Sequence, residues 1–240
     1  MTRCKVVVCV LVFAHLAVTG CSSKGTPGPS PGATKANELL LQAARAGQYE
    51  RVVAAISDGA DANAYDSMGW TALHHASIYG LDRMCQVLLD HGADVDARAL
   101  PSNDGLSVDG VAPLHLAATN GNTAVVRLLL SHSANVEIED GSLRRRPLHC
   151  AARGGHVPSA ALLLGFGAEV DARNSGGETP LFDAAQAGSV GAVVLLFAFG
   201  ADGEAVQNSG KTSLDYADLH GHSRTSQLIR FFVGQKPDGY

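Results

Sequence analysis

Large rings are scarce in this chain: aromatic residues make up 5% of its 240 positions, with a single tryptophan. A core built on stacked aromatics is therefore excluded, and the abundance of alanine and leucine points to tight packing of short helices against one another. Cysteines are also few. Of the five, Cys4 and Cys9 lie in an N-terminal apolar stretch and Cys21 follows it, which leaves too little for a disulfide framework. Basic residues are outnumbered, 18 against 23 acidic, so the formal charge is −5 and the basic face of a nucleic-acid binder is lacking. Losing Arg3 and Lys5 with residues 1–20 leaves −7.

Catalytic signatures are missing too. The sequence holds no Gly-x-Ser-x-Gly elbow and no His-Glu-x-x-His pair. Gly203 precedes Gly210-Lys211-Thr212 by six intervening residues, where a phosphate loop needs four. His220 and His222, two apart on a helix, do not share a face for a metal. Neither an enzyme activity nor a cofactor nor a metal site is expected.

What is present begins with a leader. Met1 to Lys5 carries two positive charges and Val6 to Val18 is apolar but for one histidine, a run shorter than the roughly 20 residues a spanning helix needs. This reads as a secretory signal peptide over residues 1–20. The closing Val18-Thr19-Gly20-Cys21 resembles the lipobox of bacterial lipoproteins, which implies lipidation of Cys21. Ser22-Ser23 is similar to the non-acidic start that directs such proteins to the outer membrane, so a lipid-anchored, periplasm-facing chain is expected, in the outer rather than the inner membrane. After Cys21, the segment up to residue 36 has no large apolar side chain and three prolines, and is expected to be a flexible tether.

Beyond it the chain repeats. Leu40, Leu73, Leu114, Leu148, Leu181 and Leu214 are separated by 33, 41, 34, 33 and 33 residues, and Gly47, Gly80, Gly121, Gly155, Gly188 and Gly221 keep the same separations. The units carry Thr71-Ala-Leu73-His74, Pro113-Leu114-His115, Pro147-Leu148-His149 and Thr179-Pro180-Leu181, with Gly-Ala-Asp further on. This pattern resembles the ankyrin repeat, two short antiparallel helices and a turn. The resemblance implies an all-α solenoid of about six stacked helix-turn-helix units with finger loops over residues 37–233, followed by a loose tail at 234–240. It also implies structural rather than catalytic histidines, hydrogen-bonded to backbone between turns. Repeat 1 lacks the Thr-Pro entry and is expected to cap the array with a polar outer face; repeat 6 is the second cap. Cys85 and Cys150, two repeats apart, lie beyond the roughly 7 Å reach of a disulfide. Both are expected to be free, Cys85 as apolar filler and Cys150 the more accessible.

Two adjacent fingers break the pattern. Between Gly92 and Leu114 eight extra residues form a polar loop that includes Asn103, Asp104, Leu106 and Asp109. In the next finger Arg144-Arg145-Arg146 replaces Gly-x-Thr, and Arg144 falls where other repeats have glycine. An arginine held at positive φ is strained by roughly 1 kcal/mol or more, so the turn is expected to be rebuilt around Gly141. The arginines are read either as a solvated charge run balanced by Glu137, Glu139 and Asp140, or, together with the long finger, as a patch for an acidic partner. On the patch reading their replacement by alanine leaves the thermal midpoint nearly intact.

The expected function is that of a membrane-tethered protein-binding scaffold. Some bacterial ankyrin lipoproteins are similar to immunity proteins that neutralise secreted toxins, and others to protectors of resident periplasmic enzymes such as catalase. The first reading is preferred; a structural envelope component that binds peptidoglycan through the arginines is the remaining alternative.

Overall fold

The computed structural model describes residues 31–101, 109–141 and 143–234, and among these twelve α-helices form six antiparallel pairs. The inner helices are α1 (Pro31–Arg45), α3 (Ala72–Ile78), α5 (Pro113–Thr119), α7 (Pro147–Gly154), α9 (Pro180–Ala187) and α11 (Ser213–Leu219). The outer helices are α2 (Tyr49–Ser57), α4 (Asp82–Asp90), α6 (Thr123–Ser131), α8 (Val157–Gly165), α10 (Val190–Ala198) and α12 (Ser223–Gly234). Each inner helix packs on its own outer helix and on the inner helices before and after it, and the outer helices stack likewise. Two layers result, as expected for the repeat. The leader, Cys21, residues 21–30 of the tether, and Asn103, Asp104 and Leu106 of the long finger lie outside the described residues. The first helix begins at Pro31, ahead of the start anticipated near Asn37, and the last runs through Gly234.

Local chemistry sets the helix ends. Pro113, Pro147 and Pro180 occupy first-turn positions, where a missing N–H costs nothing. Thr71, Thr179 and Thr212 stand at extended N-caps. After each inner helix a glycine at positive φ turns the chain, Gly80 at 70° and Gly121 at 68° among them. The core is a line rather than a ball: Leu40, Leu73, Leu114, Leu148 and Leu181 from the inner layer face Leu88, Leu129, Leu163, Leu196 and Ile229 from the outer, and each is exposed by 1% or less. Burying each such side chain is worth about 1.5–3 kcal/mol.

Cys85 and Cys150 are both free and both buried, at 0% and 7% exposure, so Cys150 is the more accessible only by that small margin. Burial pushes its thiol pKa up against the nearby Arg145, and pushes that of Cys85 up to about 12.

Candidate protein-binding face

The histidines of repeats 2 to 4 do the same job three times. The Nδ1 atoms of His74, His115 and His149 accept from the N-cap backbone of Thr71, Ala112 and Arg146 at 3.1, 3.1 and 3.2 Å. Nδ1 is thereby an acceptor, so Nε2 carries the proton, and it donates to the carbonyls of Val111, Arg145 and Glu178 in the following finger at 2.9, 2.9 and 3.1 Å. The neutral ring is required. Burial lowers the pKa of His74 and His115 to about 4. In repeat 5 Phe182 fills the slot and meets Tyr216 edge-on at 5.6 Å, leaving the buried Thr179 Oγ1 without a partner. In repeat 6 Asp215 takes over, accepting from Thr212 N–H at 2.7 Å.

Fingers are closed and stacked by backbone. Asp66, Asn174 and Gln207 donate to Trp70, Glu178 and Lys211 at 2.8, 3.0 and 3.0 Å, and Ala99 and Asp140 donate to Val111 and Arg145 at 2.8 and 2.9 Å across the two enlarged fingers. Successive fingers join at their tips: Leu100 N–H to Gly69, Gly141 to Asp109, Ser175 to Leu143, Asn208 to Gly176, all at 2.8–3.0 Å. Asp109, the one long-finger candidate within the described residues, is exposed, and its carbonyl belongs to this ladder.

The three arginines have separate environments. Arg144 keeps the left-handed conformation at φ 49°, so the anticipated rebuilding around Gly141 does not occur. The reason lies on either side: the Asp140–Arg145 closure fixes the turn, and Arg144 Nε donates to Glu139 Oε2 at 2.8 Å. Gly141 serves instead as a close approach, since a Cβ there would lie 2.6 Å from the Asp109 carbonyl. That Arg144 hydrogen bond lowers the Glu139 pKa. Arg145 turns inward to the buried Asp140 carboxylate at 2.9 Å. Arg146 bridges two repeats, with Nη1 2.6 Å from Glu137 Oε2 and 2.6 Å from Glu169 Oε2. The run is balanced by Glu137, Glu139 and Asp140, but it is not simply solvated, because the side chains of Arg145 and Arg146 are only 23% and 20% exposed.

Arg144 and Arg146 share an open polar hollow of about 540 Å³ with Glu169, Asp171, Arg173, Asn174, Ser175, Gly177 and Asn208 from the next fingers. Arg173 is held there by donating Nη1 to the carbonyls of Val206 at 2.8 Å and Gly177 at 3.1 Å. The hollow thus presents guanidinium edges and amides from three successive repeats, with the carboxylates of Glu169 and Asp171 among them. Arg173, Asn174 and Asn208 were not singled out by sequence, although Arg173 occupies the finger slot of Arg98 and Glu139 and so stands one repeat beyond the irregular arginines.

Beside the hollow, the inner helices carry a second polar row. Arg153 Nε donates to the buried Asp183 at 2.8 Å, and Tyr216 donates its hydroxyl to Glu178 at 2.9 Å. In repeat 2, His75 pairs with Asp66 at 2.8 Å beneath Trp70. No group of three or more His, Cys, Asp or Glu side chains among the described residues is arranged to hold a metal ion.

Sequence also overlooked how the turns interlock. The side chains of Asn63, Asp96, Glu137 and Asp171 accept the N–H of Asp94, Asn135, Glu169 and Asp202 in the following repeat, at 2.7–3.1 Å. On the opposite edge Asn122, His156 and His222 reach back to the carbonyls of Ser77, Thr119 and Gln186. Polar residues recurring at these slots were the available signal.

A family model of ankyrin repeats (three copies) matches residues 13–99 and 100–174, and a second, of ankyrin repeats (many copies), matches residues 165–217. Among curated proteins the chain is similar to BCL-6 corepressor-like protein 1 of Homo sapiens, 39% identical over 102 residues, which is 42% of this chain and 5% of that protein. It is also similar to SMC5-SMC6 complex localization factor protein 1 of Homo sapiens, 35% identical over 106 residues, 44% of this chain and 9% of that one. The mitochondrial disaggregase of Bos taurus is 42% identical over 85 residues, 35% and 12%. The chain therefore spans only 5–12% of the length of these relatives.

Proposed function

Since the chain belongs to the ankyrin-repeat family, whose arrays are protein-interaction scaffolds, we propose that it binds its partner through the fingers and inner helices of repeats 4 to 6. The observation that carries this reading is the hollow in which Arg144, Arg146 and Arg173 meet the side-chain amides of Asn174 and Asn208. Guanidinium edges and amides converging from several fingers suit a partner segment bearing carboxylates. Arg144 and Arg173 are its accessible members, whereas Arg145 faces the interior.

The setting we propose is the periplasmic side of a bacterial envelope, most simply the outer membrane, with the chain held by acyl chains on Cys21. Its support is the leader and the lipobox-like Val18-Thr19-Gly20-Cys21. A tethered scaffold there acts as an immunity protein that intercepts a secreted toxin. Capture on the immobilised chain from envelope and from secreted fractions tests this: a toxin supports immunity, a resident enzyme replaces it with a protector, and salt-sensitive retention of peptidoglycan replaces both with an envelope component. Binding of the captured protein by an Arg144→Glu, Arg173→Glu double variant tests the site. Affinity at least tenfold weaker is expected, and unaltered affinity moves the contact away from the hollow. Cys21→Ala should leave an unacylated precursor, so unchanged acylation would sink the anchor.

A further inference from the structure

The outer helices of repeats 4 and 5 differ from those before them in a way that packing within the array does not require. The exposed positions of α4 hold Asp82, Arg83 and Asp90, and those of α2 include Glu50 and Arg51. In α8 and α10 they hold Pro158, Gly165, Gly191, Val194 and Ala198. From Val157 to Ala168, and from Ala184 to Ala201, there is no charged residue at all. At the corner where the outer helix ends, one slot reads Asp58, His91 and His132 in repeats 1 to 3, then Phe166, Phe199 and Phe232 in repeats 4 to 6. Phe166 and Phe199 are each 49% exposed, Val194 is 41% exposed, and Phe231 beside them is 58% exposed. Phe232 lies stacked on Phe197 at 4.6 Å, which extends the aromatic edge into the last repeat.

We propose that this outer face, α8 and α10 with Phe166 and Phe199 at its edge, lies on a lipid bilayer, so that the fingers and inner helices of the same repeats point away from the membrane. The inference rests on the anchor at Cys21 proposed above. Area decides between a bilayer and a second protein. A half-exposed phenylalanine leaves about 100 Å² in water, and the two rings with Val194 and the small residues offer on the order of 400 Å², about half of the roughly 800 Å² per partner that a stable protein interface uses. A bilayer needs no matched surface. For a chain already held by acyl groups, a modest uncharged face with aromatic tips is a sufficient second signal, and it enters the interface without desolvating a charge. Among the described residues no helix is long and apolar enough to cross a membrane, so the contact is lateral. Arg224, exposed on the neighbouring α12, suits a phosphate headgroup, while Arg230 on the same helix is paired with Asp218 at 2.8 Å.

The test uses the full acylated chain in vesicles of phosphatidylethanolamine and phosphatidylglycerol, with and without brominated acyl chains. Phe199→Trp places a reporter on the face, and the unsubstituted chain, whose Trp70 is 6% exposed in the core, is its control. The added emission is expected to be roughly halved by brominated lipid, with Trp70 unaffected. Phe166→Trp is read in the same way and covers the case in which the first variant folds poorly. A chain that floats with the vesicles, carries acyl groups on Cys21 by mass and shows no quenching overturns the inference and leaves the anchor standing. A chain that does not float overturns both.

Discussion

Arg145 holds Asp140 twice, its backbone N–H donating to Oδ1 at 2.8 Å and its Nε donating to Oδ2 at 2.9 Å, with the carboxylate 5% exposed. The pair closes the finger of repeat 4 from within. Arg145→Ala would leave the buried carboxylate facing no cation, at a cost of about 3 kcal/mol. A drop in thermal midpoint on the order of 10 °C is expected. Thermal unfolding followed by circular dichroism checks it, and a midpoint equal to that of the unsubstituted chain refutes the role. The expectation that all three arginines can be removed without thermal cost is thereby replaced by one specific to Arg145.

The neutral histidines make stability depend on acidity. His74 and His115 titrate at about 4 in the folded chain and near 6.5 when unfolded, so between these values the unfolded state binds more protons. Their contribution is complete above about pH 6.5 and is lost as pH falls towards 4, by about 3 kcal/mol for each ring. Urea midpoints should stay level from pH 7.5 to about pH 6.5 and fall from there down to pH 4.5. In a His115→Gln variant the slope should flatten, and an unchanged slope would assign the proton uptake elsewhere.

Two glycines separate conformational from steric demand. Gly121 sits at φ 68° and a Cβ there would lie 2.4 Å from His156 Nδ1, whereas Gly59 sits at φ 86° with nothing within 4 Å. Gly59→Ala should cost about 1 kcal/mol through the backbone alone. Gly121→Ala should cost about 2 kcal/mol or more, because it also displaces the ring that reaches Thr119 at 3.0 Å. Equal losses would show that the close approach relaxes freely.

Ser133 and Arg144 hold left-handed φ of 64° and 49° at slots where other repeats use glycine. Ser133→Gly should raise stability by roughly 1 kcal/mol, and Arg144→Gly should raise the thermal midpoint while removing one guanidinium from the hollow. A lowered midpoint for Arg144→Gly would mean that its bond to Glu139 outweighs the strain.

Sequence revealed the layers because their causes are local. The proline or threonine entry, the histidine three residues after the N-cap and the glycine after the inner helix all act within a single turn, and each recurs at a fixed spacing. The site was less legible. Arg146 bridges Glu137 and Glu169, which lie on either side of it in different repeats. Arg173, the third guanidinium of the hollow, belongs to an otherwise regular finger, and only stacking brings it beside the irregular one. The turn at Arg144 was misjudged for a related reason: a rule about isolated residues predicts strain, while the Asp140–Arg145 closure and the ladder bond from Ser175 to Leu143 hold that turn from both sides.

The closure of the longest finger has a practical side. Ala99 donates to Val111 at 2.8 Å and accepts from Gly110 at 2.9 Å, so two bonds clamp the base of the insertion while Leu100 and Asp109 carry the ladder past it. Ala99→Pro, which removes the N–H given to Val111, would therefore open this base and is the change to avoid in any redesign of the array.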